Sequence, residues 1–89
     1  MDPRDVELLA RLLPTFRLEA EEHLRQIERL LTSLGRQPSN QVMQEAFREV
    51  HSLKGAARAV GASELEELCQ EMEAVFAALG KGELALERD

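Results

Sequence analysis

Apolar residues recur every three or four positions along most of this chain, and that spacing restricts it to amphipathic α-helices. In the first third of the chain the apolar positions are Leu9, Leu13, Phe16, Ala20, Leu24, Ile27, Leu31 and Leu34. Their spacing predicts a first helix over about residues 5–34. Because proline lacks a backbone N–H and clashes with the preceding turn, we expect a kink or a break near Pro14.

Two more segments show the same periodicity. Ser39 or Asn40 can cap a second helix over residues 40–59, and a glycine follows its predicted end. Ser63 can cap a third helix over residues 63–79, in which glutamates occupy the first turn and favour the positive end of the helix dipole.

These segments predict an all-α fold, an antiparallel up-down helical bundle in one domain over residues 1–89. Leu84 and Leu86 indicate that a fourth helix starts at about residue 83, so most of that helix is missing from this chain. Four helices would close the core better than three. We therefore expect self-association through the incomplete bundle.

Charge and cysteine content exclude several classes of protein. The net charge of −6 argues against a nucleic-acid or anionic-membrane partner, since both attract clustered basic residues. The single cysteine, Cys69, cannot form an internal disulfide. No apolar run approaches the ~20 residues that span a bilayer. We expect a cytoplasmic protein.

The segment His51-Ser52-Leu53-Lys54-Gly55 carries the clearest functional signal. At about 100° per residue, His51, Lys54, Gly55 and Arg58 lie within one arc of about 120° on the second helix. The opposite, core-facing side contains Ala46, Val50, Leu53, Ala57 and Val60. Gly55 costs the helix about 1 kcal/mol relative to alanine, which indicates a need for an open surface there. Phe47, one turn before His51, is either a docking residue or simple core packing.

An exposed imidazole can accept a phosphoryl group when one of its nitrogens is fixed. A carboxylate of the third helix that accepts from Nδ1–H would leave the Nε2 lone pair of His51 free. Periodicity allows Glu66, Glu71 or Glu73 in that role. Lys54 can place its ammonium against the phosphoryl oxygens, and Arg58 can add positive field.

Other chemistries fit the residues less well. A metal site of His23, His51 and Cys69 lacks the short ligand spacing that metal binding on a helix normally uses. A hydrolase using Ser52 or Cys69 lacks a glycine-rich elbow or an oxyanion loop. His23 shows no accompanying pattern, and we interpret it as an ordinary side chain of the first helix.

Two segments are similar to histidine phosphotransfer (HPt) domains: FREVHSLKGAARAVG and SELEELCQEME. The first helix resembles that of the phosphotransfer domain of CheA chemotaxis histidine kinases, in the segment FRLEAEEHLRQIERLLTSL. The resemblance implies a four-helix bundle of HPt type within a larger histidine kinase. It implies that the kinase domain, which holds ATP and Mg²⁺, phosphorylates the histidine, and that a receiver aspartate takes the group. The domain itself would be a phospho-carrier that binds no cofactor and no metal.

Position by position, His51 matches the phospho-accepting histidine, Lys54 the nearby lysine, Gly55 the small residue after it, and Glu73 the carboxylate that binds the imidazole. Gln70 stands where some relatives place another polar or histidine side chain. The surface facing partner proteins would comprise Phe47, Arg48, Gly55, Arg58 and Gln70. The alternative function is a non-catalytic helical adaptor or dimerisation module. The intact HSLKG argues against that alternative, because an adaptor has no need for the glycine.

Overall fold

The structure, a computed structural model, describes residues 2–80. These residues form three α-helices and no strand: α1 over Pro3–Arg36, α2 over Asn40–Ala59 and α3 over Ser63–Gly80. The predicted all-helical bundle is therefore confirmed, and each helix boundary lies within two residues of its predicted position. The fourth helix predicted from about residue 83 lies outside the described residues. None of the three helices is both long and apolar enough to cross a membrane.

The start of α1 is fixed by a capping box that the apolar spacing does not predict. The Asp2 side chain accepts hydrogen bonds from the backbone N–H groups of Arg4 and Asp5, at 2.8 and 3.1 Å. The Asp5 side chain accepts in return from the N–H of Asp2. Pro3 occupies the first helical position, where its missing N–H costs nothing. The Asp-Pro-x-Asp order is a sequence signal for this start.

Of the two outcomes expected at Pro14, a break does not occur, because α1 continues through this residue without interruption. A kink there stays a prediction. Proline removes the N–H that would bond to the carbonyl of Ala10, four residues earlier. Both residues are exposed, so water can solvate that carbonyl. Arg11, Leu12 and Leu13 before the proline, and residues 17–20 after Thr15 and Phe16, are strong helix formers that favour continuation of the helix.

The turn between α1 and α2 ends one helix and caps the next. The N–H of Gln37 donates to the carbonyl of Ser33 at 2.9 Å, so α1 runs past Gly35 to its last residue, Arg36. Ser39 is the cap of α2, as predicted: its Oγ accepts from the N–H of Val42 at 3.1 Å. The short connection makes α1 and α2 antiparallel neighbours.

A glycine in the left-handed region ends α2. Gly61 has φ +73°, and its N–H donates to the carbonyl of Arg58, while the N–H of Ala62 donates to the carbonyl of Ala57. These two bonds form a Schellman motif. The carbonyl of Ala62 accepts the first hydrogen bond of α3. Ser63 is therefore the first residue of α3 and not its cap, which corrects the prediction.

α2 lies between the other two helices and packs against both of them. Its buried side contributes Ala46, Val50, Leu53 and Ala57, all fully or almost fully covered. The core continues with Ala20, Ile27, Leu30 and Leu34 of α1 and with Cys69 and Phe76 of α3. The predicted apolar spacing accounts for most of these positions, but Leu30 was not among them, and Leu24 and Leu31, which were, are 50% and 42% exposed. The packing leaves the opposite side of α2 at the surface, facing solvent and α3.

Apolar surface remains open between α1 and α3. A groove of about 400 Å³ is lined by Leu31, Leu34, Leu68, Glu71, Met72, Val75, Phe76 and Leu79. α1 also has 34 residues against the 20 of α2, and it contains no buried residue before Ala20. The molecule is accordingly elongated, measuring 52 × 21 × 20 Å.

Candidate functional site

His51 stands on the exposed side of α2, where it faces α3. Its side chain is 65% exposed, and its Nδ1 lies 3.1 Å from Oε1 of Glu73. An ionised carboxylate can only accept a hydrogen bond, so the proton of the ring lies on Nδ1 and the free lone pair on Nε2. Nε2 has no hydrogen-bond partner among residues 2–80.

Glu73 is the one buried charged residue among residues 2–80, with 7% of its surface exposed. Burial raises the pKa of its carboxyl group, but hydrogen bonds from Lys54 and His51, together with their charges, outweigh that effect, so the pKa lies below its ordinary value. Glu73 is therefore ionised near neutral pH. The structure thus brings together two residues that the sequence placed on different helices.

Lys54 is bound to Glu73 as well. Its Nζ donates to Oε2 of Glu73 at 2.9 Å and to Oε1 of Gln70 at 3.2 Å, and its side chain is only 13% exposed. The sequence predicted a lysine directed at an incoming phosphoryl group. In the structure this lysine is held against α3, one helical turn from the imidazole. Its predicted role toward a phosphoryl group stays a prediction.

The surface around His51 is open on the side of Gly55. A Cβ built at this glycine meets no atom of residues 2–80 within 4 Å, so no neighbour in this part of the chain requires a glycine there. On the other side, the ring of Phe47 lies nearly parallel to the imidazole, with 6.3 Å between the ring centroids. Phe47 is half-buried and packs against the core. Core packing therefore describes part of its surroundings, and a docking role for Phe47 stays a prediction.

The two arginines of the predicted partner surface are both exposed. Arg58 donates through Nε to Oε2 of Glu66 at 2.7 Å, which ties the end of α2 to the start of α3. Glu66, one of the three carboxylates considered for His51, is thus engaged elsewhere. Glu71 lines the groove between α1 and α3. Arg48 lies on α2 next to Phe47 and points to solvent.

A second histidine–carboxylate pair, which no sequence pattern predicted, links α1 to α2. Nδ1 of His23 lies 2.7 Å from Oε2 of Glu49, and both side chains are about 30% exposed or less. The two residues lie 26 positions apart, so only the docking of the helices brings them together. The His23 side chain is therefore largely covered between α1 and α2, whereas the His51 side chain is mostly exposed to solvent.

Cys69 lies on α3 in the core, close to Glu73. Cys69 is fully covered; burial raises the pKa of its thiol, and the neighbouring charge of Glu73 raises it further. A thiol of this kind is a poor nucleophile. Residues 2–80 contain no group of three or more His, Cys, Asp and Glu side chains arranged to hold a metal ion.

An exposed imidazole anchored by a buried carboxylate on a helical bundle is the arrangement expected of a phosphoryl-carrier domain. The Hpt domain family matches residues 11–89, and the chain belongs to this family. Its role is thus phosphotransfer within phosphorelay signalling, and Hpt domains as a class interact with kinases and response regulators. No solved structure matches the chain at a significant level.

Proposed function

We propose that His51 is the residue that carries the phosphoryl group, and that it does so on Nε2. The observation that supports this most directly is the 3.1 Å contact between Nδ1 and Glu73, because it leaves the lone pair on the exposed nitrogen. His23 has its own carboxylate partner, yet its side chain is only 26% exposed, against 65% for His51. A protein donor can therefore reach His51 far more easily than His23.

In the proposed reaction, the Nε2 lone pair of His51 attacks the phosphorus of the donor and forms an N–P bond. The bond from phosphorus to the leaving oxygen of ATP breaks, and its electron pair stays with ADP. The Nδ1 proton remains on the ring, where Glu73 stabilises the positive charge that develops. In the return step, an aspartate oxygen of a receiver domain attacks the phosphorus, the N–P bond breaks, and its electrons return to Nε2.

We propose two tasks for Lys54. In the resting domain it helps to keep Glu73 ionised, as the lowered pKa of that carboxyl group indicates. Once the phosphoryl group is in place, a flexible ammonium one turn away can donate to its oxygens without any movement of the backbone. Gln70 holds the lysine ready for that step, since it accepts from the same Nζ.

We assign the approach of the partner proteins to the surface around His51. Gly55 has no side chain that would project toward a partner, so a protein can approach His51 closely. Arg48 and Arg58 give this surface positive charge next to the acceptor. ATP and Mg²⁺ would be held by the kinase domain that phosphorylates His51. The Hpt domain would contribute no nucleotide site. A CheA-like parent kinase in the cytoplasm is the setting that the sequence resemblance favours.

Phosphoramidate, a small phosphoryl donor, tests the acceptor assignment without any partner protein. The full chain incubated with it should gain the mass of one phosphoryl group, in an acid-labile and base-stable form. His51→Gln should abolish this gain, whereas the matched variant His23→Gln should keep it. Labelling that persists in His51→Gln would refute the assignment. A chain that is never labelled, but still captures a receiver domain after the substitution, would support the adaptor alternative.

A further inference from the structure

The plane of the His51 ring needs a second restraint besides Glu73. The hydrogen bond to Oε1 restrains one distance, that from Nδ1 to the carboxylate, whereas the ring turns about two side-chain torsions and can still tilt. The side chain is 65% exposed, so packing does not prevent this motion. Reaction with phosphorus requires the Nε2 lone pair to be aligned with the bond that breaks, and a tilted ring loses that alignment.

Phe47 supplies a contact of the right kind. It lies four residues before His51 on the same face of α2, and the two rings are inclined by only 7°. The centroid distance of 6.3 Å falls within the range in which aromatic rings attract each other. Attraction between the two rings favours this orientation of the exposed imidazole over tilted ones.

Phe47 can act as a fixed reference because the core holds it. Its side chain is half-buried and packs against the central cluster of buried residues. It also lines a groove at the end of α3 together with Met43 and Phe76. These contacts restrict the rotation of Phe47, whereas His51 has little else around its ring.

We propose that Phe47 is a positioning residue for phosphoryl transfer: its core-anchored ring sets the plane of the His51 imidazole, while Glu73 sets the tautomer. This inference rests on the proposed function of His51. It assigns Phe47 a role within the reacting domain itself, in addition to any contact with a partner. The two restraints are separable, since one acts on ring orientation and the other on the site of the proton.

The test compares Phe47→Leu with wild type, using phosphoramidate as the donor so that partner docking plays no part. Phe47→Leu keeps an apolar side chain in the core but removes the aromatic ring, and it should slow the labelling of His51 by about threefold to tenfold. Phe47→Tyr, which retains the ring, should restore the rate. The matched control is Phe16→Leu, the same change at a half-buried core position of α1, which should label at the wild-type rate.

NMR spectra of the imidazole distinguish positioning from loss of structure. In Phe47→Leu the ring nitrogen shifts should still report a proton on Nδ1, while the ring protons lose the ring-current shift caused by Phe47. Labelling of Phe47→Leu at the wild-type rate would overturn the inference, and so would a rate that falls equally in Phe16→Leu. If the wild-type chain itself is not labelled on His51, the proposed function fails instead.

Discussion

At the scale of single residues, Glu73 is the group on which the candidate site depends. One carboxylate binds the imidazole through Oε1 and the ammonium of Lys54 through Oε2. A buried ion that lost one of these donors would keep its desolvation cost and lose much of its compensation. The orientation of His51 and the stability of the α2–α3 packing therefore rest on the same side chain.

Glu73→Gln should lower the free energy of unfolding at pH 7 by about 1–3 kcal/mol, because the amide cannot replace the charged hydrogen bonds. The pKa of Glu73 is lowered in the folded state from its ordinary 4.5, so ionisation stabilises the fold above that value. This stabilisation disappears as the pH falls through the folded-state pKa. Urea unfolding at several pH values should therefore show the difference between wild type and variant shrinking on acidification.

Glu66→Gln is the matched control for this measurement. It makes the same change on the same helix, but it removes an exposed ion pair with Arg58. Such pairs contribute at most about 1 kcal/mol, so the effect should be small at every pH. A difference at Glu73 that stays constant down to the acid transition would contradict the assigned linkage.

The sequence could identify His51 as an exposed histidine but could not select its carboxylate. Glu66, Glu71 and Glu73 lie close together on α3, and only the crossing of α2 with α3 decides which of them reaches the ring. Family resemblance selected Glu73, and the structure places it there. The contact of Lys54 with Glu73 could not be predicted for a similar reason, because a long side chain can point along its own helix or across to the next one.

At the scale of helices, the glycine inside α2 and the glycine in the turn after it have opposite effects on stability. Gly55 lies inside the helix, and a Cβ there contacts nothing. Gly61 has a positive φ in the turn that ends the helix. The first glycine weakens the isolated domain, whereas the second makes the end of α2 possible.

Gly55→Ala should therefore raise the free energy of unfolding by about 0.5–1 kcal/mol, since it reduces the entropy lost on helix formation. Gly61→Ala should lower it by about 1 kcal/mol, because alanine is strained at positive φ. Urea titration of both variants measures the two effects on one scale. If Gly55→Ala destabilised the domain, the fold itself would require the glycine, and the argument for an open partner surface would be lost.

The helices themselves were predictable because their apolar spacing and caps are local signals. Ser39 and Gly61 mark their boundaries in the sequence. The break expected at Pro14 does not occur, since its cost depends on whether water can reach the carbonyl that loses its partner. Exposure of that carbonyl is a property of the assembled bundle. The pairing of His23 with Glu49 likewise depends on docking.

At the scale of the whole molecule, α1 is longer than the helix it packs against and consists of a packed part and an exposed part. The last seventeen residues of α1 contain all its buried side chains, Ala20, Ile27, Leu30 and Leu34, and pack into the core. The preceding part exposes Val6, Leu8, Leu12, Leu13 and Leu18. Helices without tertiary packing are only marginally stable at this length.

Hydrogen exchange should show a gradient along α1. Amides between Leu8 and Leu13 should exchange at least about tenfold faster than those between Ile27 and Leu34, because local opening requires no disruption of the core. Exchange measured by NMR at several protein concentrations would also test self-association, which stays a prediction. Uniform protection along α1 would show that the first part of the helix is covered in solution.

Lys54 and Glu73 carry opposite charges and neutralise each other within one contact of 2.9 Å. In the proposed relay, a phosphoryl group on His51 adds negative charge to a surface that was locally balanced, on a chain whose net charge is already −6. Loaded and empty forms of the domain then differ in electrostatic potential at the place where partners approach. Under the proposed function, a kinase and a receiver would meet different potentials at the same surface before they dock, even if the shape of the domain stayed the same.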